Sequence, residues 1–507
     1  MDFLSLVLAS AERVPTKTAL VVGGASVSYE GLVDRASRLA AGLRRAGIGG
    51  GDAVGIYLRD CREWVETFLA ASLVGAWPVP INFRYGSREV THIAHDARLR
   101  ALVYEPELAA AVDDGVLRDL VSVSVGGGEG IPYSALVGGP AQEWETAASP
   151  LDIHCVLYTS GTTGLPKGAL CTHANTVTGH FTATAHWGLS ESDLFLVASP
   201  LCHRVGLGRL VNSLALGATL ELLPRFDPGE VLRRLTETPV TVMSMVPTMA
   251  RLLAGAAGPR RFPDVALRTL LFTGEALPES TRAAVIRIFP RARCFSYFAS
   301  TECGLMSVLD PEHQLTHARS VGRPVAGVRV RLADERGAWV ARGEVGEICI
   351  RCGEPGAGSV FRGYVGTGGE PEELFLRGWF RTGDVGRFDE DGFLYVVDRR
   401  KDMVISGGLN IASKEVEEVL LSHPAVREAA VVGAPDETYG EAVVAFVVPA
   451  APGAVSADEL VTHCRAHMAG YKKPRAVVFV DDLPRTPVGK VLKTELRRVA
   501  AGRAGGR

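Results

Sequence analysis

The stretch 158–168, YTSGTTGLPKG, combines hydroxyl side chains and glycines with one lysine near its end. Glycines let backbone N–H groups approach an anion, hydroxyls donate hydrogen bonds and the lysine adds positive charge, so the stretch suits a triphosphate. It is not a Walker A loop, because Pro166 stands where the second glycine belongs and Gly168 follows the lysine. The alternative is a surface turn rich in glycine and threonine. We predict a phosphate cradle formed by Thr159, Ser160, Gly161, Thr162, Thr163, Gly164 and Lys167.

Six further stretches carry charged, hydroxyl or glycine residues in a fixed order along the chain. They are PLCHRVG (200–206), FTGEAL (272–277), YFASTE (297–302), WFRTGD (379–384), DRRKDMVISGGLN (398–410) and PRTPVGK (484–490). Together with the cradle, this ordered set resembles the adenylate-forming superfamily of acyl-CoA synthetases, aryl-CoA ligases, luciferases and nonribosomal adenylation domains. The resemblance covers nearly the whole chain and favours the acyl-CoA synthetase and aryl-CoA ligase branch.

The resemblance implies an AMP-forming acid–thiol ligase whose cofactors are ATP, Mg²⁺ and coenzyme A. A carboxylate is a poor acyl electrophile, because its leaving group would be oxide. ATP therefore converts it to an acyl-adenylate with release of pyrophosphate, and the acyl group then passes to a thiol. Charge that builds on the phosphate oxygens must be neutralised by cations and N–H donors in a site that excludes water.

By this resemblance the expected catalytic residues are Lys490, Thr301, Glu302 and His203, and Lys167 is expected to bind the nucleotide. Lys167 and its loop hold the β and γ phosphates, Thr301 meets the α-phosphate and Glu302 holds Mg²⁺, a hard cation that prefers oxygen ligands. Lys490 bridges the carboxylate and the phosphate during adenylation. A lysine near the end of a chain is usually a solvated charge, and only its place in the motif set favours the catalytic role.

The remaining motifs are assigned to the nucleoside and the thiol. Asp384 is expected to accept hydrogen bonds from the ribose hydroxyls, with Arg399 as a second ribose-side contact. The alternatives are an exposed turn aspartate and a solvated basic linker. The family swings a small C-terminal domain about a hinge, which Lys401 matches. Adenine is expected to be lined by Gly274, Glu275 and Ala276, and the thiol tunnel by backbone at Ser406, Gly407 and Gly408.

Several positions depart from the family pattern. Phe298 and Ala299 replace the usual Tyr-Gly. Phenylalanine can still stack on adenine, and the added methyl group of Ala299 is expected to narrow either the acyl or the nucleotide pocket and to slow one half-reaction selectively. Cys202 replaces a common aromatic residue and reshapes the acyl pocket. Ser413 replaces a proline and is interpreted as local backbone variation. The predicted acyl-pocket residues are His203, Arg204, Val205, Gly206, Phe272, Thr273 and Ser296 to Ala299.

The acyl-pocket residues are mostly apolar or small and lack the aspartate with which relatives grip an amino acid. They favour an aliphatic, aryl or alicyclic carboxylic acid, and Arg204 is either a contact for a second carboxylate or a surface salt-bridge partner. Free coenzyme A is the expected acceptor, and a separate carrier protein is the alternative. Two further hypotheses are a homologue that only thioesterifies a supplied acyl-adenylate, and a non-catalytic nucleotide or acyl-CoA binder. The joint presence of Lys167, Glu302, Asp384 and Lys490 counts against the binder.

Composition restricts the partners and the compartment. A net charge of −3 and a pI near 6.5 give no electrostatic case for nucleic acid. The first residues, MDFLSLVLASAERVPTKTA, are neither a secretory signal nor a membrane span. Nine cysteines, scattered singly, favour a reducing compartment, the cytoplasm. A homodimer is the default expectation for the assembly.

Alternating strand and helix patterns predict the elements that position these motifs. Apolar residues spaced 3–4 apart from Ser28 to Leu43, ahead of Gly47, predict a helix. Residues 52–58, 63–76 and WPVPIN predict a parallel strand–helix–strand unit, and the alternation continues to LRTLLFTG. The fold class is therefore α/β, with two layered α/β sheets plus a small β region after about residue 320. A small mobile α+β domain follows, giving domains at 1–398 and 399–507.

Overall fold

The computed structural model describes residues 1–142, 144, 148–160, 165–274, 277–366, 374–407, 409–485 and 491–504. Contacts divide the chain into two compact units. The first comprises Met1–Val330, Ile350–Phe380 and Gly392–Leu394, and the second comprises Arg331–Cys349, Arg381–Asp391 and Tyr395–Arg507. The domain boundary at residue 398 stays a prediction. Among the described residues, no helix is both long enough and apolar enough to cross a membrane.

The first unit contains the predicted helix as Tyr29–Arg45, and the side chain of Ser28 caps it by accepting a hydrogen bond from the N–H of Gly31. Gly47 has a φ of 88°, the left-handed conformation typical of a helix end. The helices of this unit are α1 (Phe3–Arg13), α2 (Tyr29–Arg45), α3 (Arg62–Leu73), α4 (Ser87–Asp96), α5 (Asp114–Asp119), α6 (Tyr133–Val137), α7 (His173–Trp187), α8 (Arg204–Leu216), α9 (Pro228–Glu237), α10 (Pro247–Ala257) and α11 (Glu279–Ile288).

Two layered sheets carry most of the strands of the first unit. A five-stranded sheet has the order β4-β3-β5-β6-β7 and is parallel, which confirms the predicted strand–helix–strand unit. Its strands are β3 (Ala53–Tyr57), β4 (Trp77–Pro80), β5 (Leu99–Tyr104), β6 (Val121–Ser124) and β7 (Ile131–Pro132). A nine-stranded sheet has the order β16-β15-β14-β13-β12-β10-β11-β1-β2. Its strands are β1 (Thr18–Val22), β2 (Ala25–Ser28), β10 (Leu194–Val197), β11 (Thr219–Leu222), β12 (Val242–Met245), β13 (Thr269–Phe272), β14 (Arg293–Ser300), β15 (Gly304–Leu309) and β16 (Arg323–Pro324).

Two smaller sheets complete the β structure outside the tail. The first has the order β19-β9-β8 and carries the ends of the phosphate cradle. The second has the order β17-β18-β21-β20 with β22 beside β21, and it is the small β region predicted after residue 320. The strands are β8 (Ile153–Ser160), β9 (Pro166–Thr172), β17 (Arg329–Ala333), β18 (Gly346–Arg351), β19 (Gly363–Tyr364), β20 (Phe375–Leu376), β21 (Trp379–Phe388) and β22 (Leu394–Arg399).

The tail of the second unit is a sheet with helices on both faces. Alternate residues of a strand point to opposite sides, so Val431 joins the core beneath α12 and α13 while its neighbour Val432 joins the core beneath α14. The sheet order is β24-β23-β26-β25, with β27 beside β26. The elements are β23 (Val404–Ser406), β24 (Leu409–Ile411), α12 (Ser413–Leu421), β25 (Val426–Asp436), β26 (Gly440–Pro449), α13 (Ala457–His467), β27 (Ala476–Phe479) and α14 (Lys493–Ala504).

Candidate active site

The phosphate cradle is the turn of a β-hairpin. Strands β8 and β9 pair antiparallel, and this register places Thr159 directly opposite Lys167. Below the turn, Tyr158 is buried and its hydroxyl donates to Asp96 Oδ2 at 2.6 Å, which anchors the base of the hairpin. Lys167 itself is exposed. The predicted cradle residues Gly161, Thr162, Thr163 and Gly164, and the side chain of Ser160, lie outside the described residues.

Lys167 and Glu302, predicted from distant motifs, are brought together by Tyr364. Strand β19 lies beside β9, with Tyr364 opposite Ala169. The Lys167 Nζ lies 5.7 Å from the centre of the Tyr364 ring, and the Tyr364 hydroxyl donates to Glu302 Oε1 at 2.9 Å. Burial and the negative charge of Glu302 raise the pKa of Tyr364, so this hydroxyl keeps its proton and acts as a donor. The carboxylate is thereby held in one orientation.

Thr301 and Glu302 lie in the turn between β14 and β15. The turn is fixed by the N–H of Cys303, which donates to Ser300 Oγ at 3.1 Å, and by the N–H of Phe361, which donates to the carbonyl of Glu302 at 2.7 Å. The register between the two strands shifts at Phe298 and Ala299. Such a bulge changes the direction of side chains beside a site. Among the described residues, the only non-glycine positions with positive φ are Arg98 and Arg377, so Ala299 occupies its position without backbone strain.

The PLCHRVG segment follows β10 and continues into the first turn of α8, and it contacts buried polar residues that the sequence did not indicate. Asp60 is only 4% exposed, and its Oδ1 accepts from the N–H of Leu201 at 3.0 Å. Burial raises the pKa of Asp60 to about 7. A ring nitrogen of His203 lies 3.5 Å from the Nδ2 of buried Asn82. His203 therefore faces a polar neighbour at the start of α8.

Two other acyl and adenine candidates are placed by strand β13. Phe272 is 2% exposed and packs in the core between the nine-stranded sheet and its helices. Gly274, just after the strand, has a φ of 98°, a conformation that favours glycine. The predicted adenine residues Glu275 and Ala276 lie outside the described residues.

The ribose candidates meet within the second unit. Asp384 on β21 and Arg399 at the end of β22 approach so that Arg399 Nε lies 3.5 Å from Asp384 Oδ1. Arg399 is half exposed, whereas Asp384 is largely buried. The pair places a carboxylate, which accepts hydrogen bonds, beside a guanidinium, which donates them, and the ribose roles of both residues stay predictions.

Two thiol-tunnel candidates lie at a turn in the same unit. Ser406 ends β23, and Gly407 follows with a φ of 60°. A side chain at Gly407 would begin 3.2 Å from the Tyr439 ring. Gly408 and the adenylation candidate Lys490 lie outside the described residues.

Ser413 corrects one interpretation made from the sequence. Its N–H donates to Asp398 Oδ2 at 2.5 Å and its hydroxyl donates to the same atom at 2.7 Å, while Asp398 is 1% exposed. Lys493 Nζ donates to Ser413 Oγ at 2.7 Å. The substitution of proline by serine is therefore not mere backbone variation, because the serine supplies an N–H that proline does not have.

The residues in place fit a magnesium nucleotide. Mg²⁺ is usually held by one or two carboxylates together with phosphate oxygens and water, and Glu302 is one such carboxylate with only Oε1 engaged by Tyr364. Within the described part of the chain, no group of three or more His, Cys, Asp or Glu residues could hold a metal by itself. Lys167 is exposed and positioned opposite Thr159 for an anion. The site thus offers a partial shell that a phosphate-bearing substrate would complete.

Comparison with protein-family models agrees with this geometry. The model of the AMP-binding enzyme matches residues 7–365, and that of the AMP-binding enzyme C-terminal domain matches residues 415–490. The chain belongs to the AMP-binding enzyme family. The family matches include the hairpin cradle and the Glu302 turn in the first case, and the PRTPVGK segment in the second.

Relatives in this family match nearly the whole chain. A feruloyl-CoA synthase from Amycolatopsis is 37% identical over 493 residues, which cover 96% of this chain and 97% of that protein. A 2-succinylbenzoate–CoA ligase from Bacillus licheniformis is 34% identical, covering 98% of this chain and 100% of that protein. The structure of o-succinylbenzoate coenzyme A synthetase from Bacillus subtilis, in complex with ATP and magnesium ion, has a TM-score of 0.87 at 30% identity and covers 97% of this chain and 98% of that chain.

Proposed function

We propose that this chain is an ATP- and Mg²⁺-dependent carboxylic acid–CoA ligase. It converts an acid and ATP to an acyl-adenylate and pyrophosphate, then transfers the acyl group to coenzyme A. The observation that supports the proposal is that Tyr364 contacts both Lys167 and Glu302, which come from distant motifs. The similarity to feruloyl-CoA synthase and 2-succinylbenzoate–CoA ligase supports coenzyme A as the acceptor and an aryl-bearing acid as the substrate.

One group of residues binds the phosphates of ATP, and another binds its nucleoside. Lys167 and the cradle hydroxyls bind the outer phosphates, Thr301 donates to the α-phosphate, and Glu302 holds Mg²⁺. Bound there, Mg²⁺ supplies positive charge that offsets the charge on the phosphate oxygens. Asp384 and Arg399 bind the ribose. Lys490 contributes the cation that pairs the acid carboxylate with the α-phosphate.

The acceptor and the assembly are also part of the proposal. Free coenzyme A is favoured, because the relatives described above are named for CoA thioester formation. A separate carrier protein is the alternative acceptor, and the two are distinguished by supplying each thiol to the same acyl-adenylate. A cytoplasmic homodimer is the proposed state of the enzyme, to be checked by its molecular mass in solution.

The test is a panel of aliphatic, alicyclic and aryl carboxylic acids, assayed for pyrophosphate release with and without coenzyme A. We expect at least one acid to give both pyrophosphate and a CoA thioester. No release with any acid would refute the ligase activity. Thioester formed only from supplied acyl-adenylate plus coenzyme A would instead support an enzyme restricted to the second half-reaction.

The role of Lys490 is tested with the acid that is found. Lys490→Ala should lose adenylation but still convert supplied acyl-adenylate to thioester. Lys473→Ala is the matched control, because it removes another lysine from the same tail outside the motif. Normal adenylation by Lys490→Ala would overturn the assigned role. Loss of both half-reactions in both variants would indicate damage to the fold.

A further inference from the structure

Strand β9, which carries Lys167, presents a row of carbonyl groups along the edge that faces β19. The carbonyls of alternate residues in a strand point to the same side, so those of Pro166, Gly168 and Leu170 share this edge. The Leu170 carbonyl accepts from the N–H of Arg362 at 3.0 Å, and the Gly168 carbonyl accepts from the N–H of Val365 at 2.8 Å. Backbone donors thus hold two of these three carbonyls.

The third carbonyl, that of Pro166, is held by the side chain of His92 on α4. His92 Nε2 lies 2.9 Å from this oxygen. A carbonyl oxygen accepts and does not donate, so Nε2 carries the proton of this hydrogen bond. Proline has no N–H, which leaves its carbonyl as the one backbone group by which Pro166 can be held. His92 therefore completes the row at the end of the strand that adjoins the phosphate cradle.

The same helix also holds the other strand of the hairpin. Asp96 lies one turn after His92 on α4, so the two side chains share a face of the helix. The hydroxyl of Tyr158 on β8 donates to Asp96 Oδ2 at 2.6 Å. Helix α4 is thereby bonded to β8 through Asp96 and to β9 through His92.

The bond to Pro166 bears directly on Lys167, the next residue. The Pro166 carbonyl and the Lys167 N–H belong to one planar peptide unit, so holding the carbonyl fixes the plane at the root of the lysine. Lys167 is exposed and lies opposite Thr159, another predicted cradle residue. The stem of a lysine is flexible, and a fixed root limits the positions that its ammonium group can reach.

We infer that His92 is a positioning residue for the phosphate cradle: by holding the Pro166 carbonyl, it sets the direction from which Lys167 meets the outer phosphates of ATP. The inference rests on the ligase activity proposed above. Those phosphates leave as pyrophosphate in the first half-reaction, and the acyl-adenylate no longer carries them. His92 therefore contributes to adenylation and not to transfer of the acyl group to the thiol.

The experiment compares His92→Leu with His92→Gln. Both replacements lack the ring and are good helix formers of similar size, but glutamine alone keeps an N–H donor. With an acid that the wild type uses, kcat/KM for ATP in pyrophosphate release should fall about tenfold in His92→Leu and stay within about threefold in His92→Gln, as expected for one hydrogen bond. Thioester formation from supplied acyl-adenylate should be unchanged in both variants. His95→Leu is the matched control, because His95 is an exposed histidine on the same helix, and it should change neither half-reaction.

Calorimetry with MgATP, in the absence of acid, gives a second readout that requires no ligase activity. His92→Leu should bind MgATP about tenfold more weakly than His92→Gln. Equal MgATP affinity and equal kcat/KM in the two variants would overturn the inference. Equal loss of both half-reactions in folded variants would assign His92 to overall stability and would overturn it too.

If neither variant folds, His92→Phe decides, because phenylalanine keeps a ring without a donor. Slower adenylation with normal thioester formation would support the positioning role, and normal adenylation or loss of both half-reactions would refute it. The proposed function is tested separately by the wild type. A wild type that binds MgATP but releases no pyrophosphate with any acid would refute the ligase activity, whereas the MgATP affinities of the variants would still decide the role of His92.

Discussion

Replacing Tyr364 with phenylalanine removes one hydroxyl and leaves the ring in place. The hydroxyl donates to Glu302 Oε1 at 2.9 Å, and the ring lies 5.7 Å from Lys167 Nζ. The variant therefore keeps the ring contact with the lysine and removes the hydroxyl's bond to the carboxylate. We expect Glu302 to be held less firmly in one orientation, because Oε1 loses this donor.

The size of the effect follows from the charge on the acceptor. A hydrogen bond to an ionised group contributes about 1.5–3 kcal/mol, and a factor of ten corresponds to about 1.4 kcal/mol. Loss of a partner that orients a metal-binding carboxylate typically lowers metal affinity by about 10–100-fold. Both routes predict that Tyr364→Phe needs about 10–100-fold more Mg²⁺ for half-maximal activity. At saturating Mg²⁺ the activity should be largely restored.

The assay is pyrophosphate release as a function of Mg²⁺ concentration at fixed ATP and acid. Tyr395→Phe is the matched control, because Tyr395 also donates its hydroxyl to a carboxylate, Asp389 Oδ2 at 3.1 Å, in the second unit. It should change the Mg²⁺ requirement by less than about threefold. An unchanged requirement in Tyr364→Phe would refute the role of Tyr364, and an equal shift in Tyr395→Phe would show that the effect is not specific to Glu302.

Three further changes test the surroundings of the site. Burial raises the pKa of Asp60 from 3.8 to about 7, so the native state prefers the protonated form and the free energy of unfolding falls as pH rises from about 4 to 7. Asp60→Asn keeps an acceptor for the N–H of Leu201. In urea unfolding this variant should be more stable than the wild type by up to about 4 kcal/mol at pH 8, and little different at pH 4. Ser413→Ala should lower the free energy of unfolding by about 1–3 kcal/mol through the lost bond to buried Asp398. Ser413→Pro should lower it more, because the N–H that donates to Asp398 is also lost. A proline variant as stable as the wild type would contradict the bonding described. Ala299→Gly should speed whichever half-reaction is slower. The two half-reactions are measured separately, by pyrophosphate release and by thioester formation from supplied acyl-adenylate. Unchanged rates in both would show that the methyl group narrows neither pocket.

Much of the architecture follows from local pattern. The helix from Tyr29 to Arg45 was predictable because its apolar spacing, its serine N-cap and Gly47 all indicate the same element. The parallel unit of β3, α3 and β4 was predictable for the same reason. The domain boundary is different, since the second compact unit takes in residues 331–349 and 381–391, which are separated from the tail in sequence. Contacts between segments that are far apart in the chain leave no signal in the local residue pattern.

The residues of the candidate site also divide into those that local motifs predict and those that depend on distant contacts. Lys167, Glu302 and Asp384 were predictable because each lies in a motif with a recognisable order. Tyr364 was missed, since its role depends on a contact with a residue 62 positions away.

The residues that sequence reasoning missed have a common physical property. Asp60 is a carboxyl group buried with a raised pKa, and Tyr364 is a neutral donor that holds the carboxylate of Glu302. A buried carboxyl group and a buried hydroxyl group are each unfavourable without a hydrogen-bond partner. A fold retains such groups where a neighbouring residue or a bound molecule supplies that partner. A substrate that carries phosphate and a divalent cation would complete the coordination offered by Glu302.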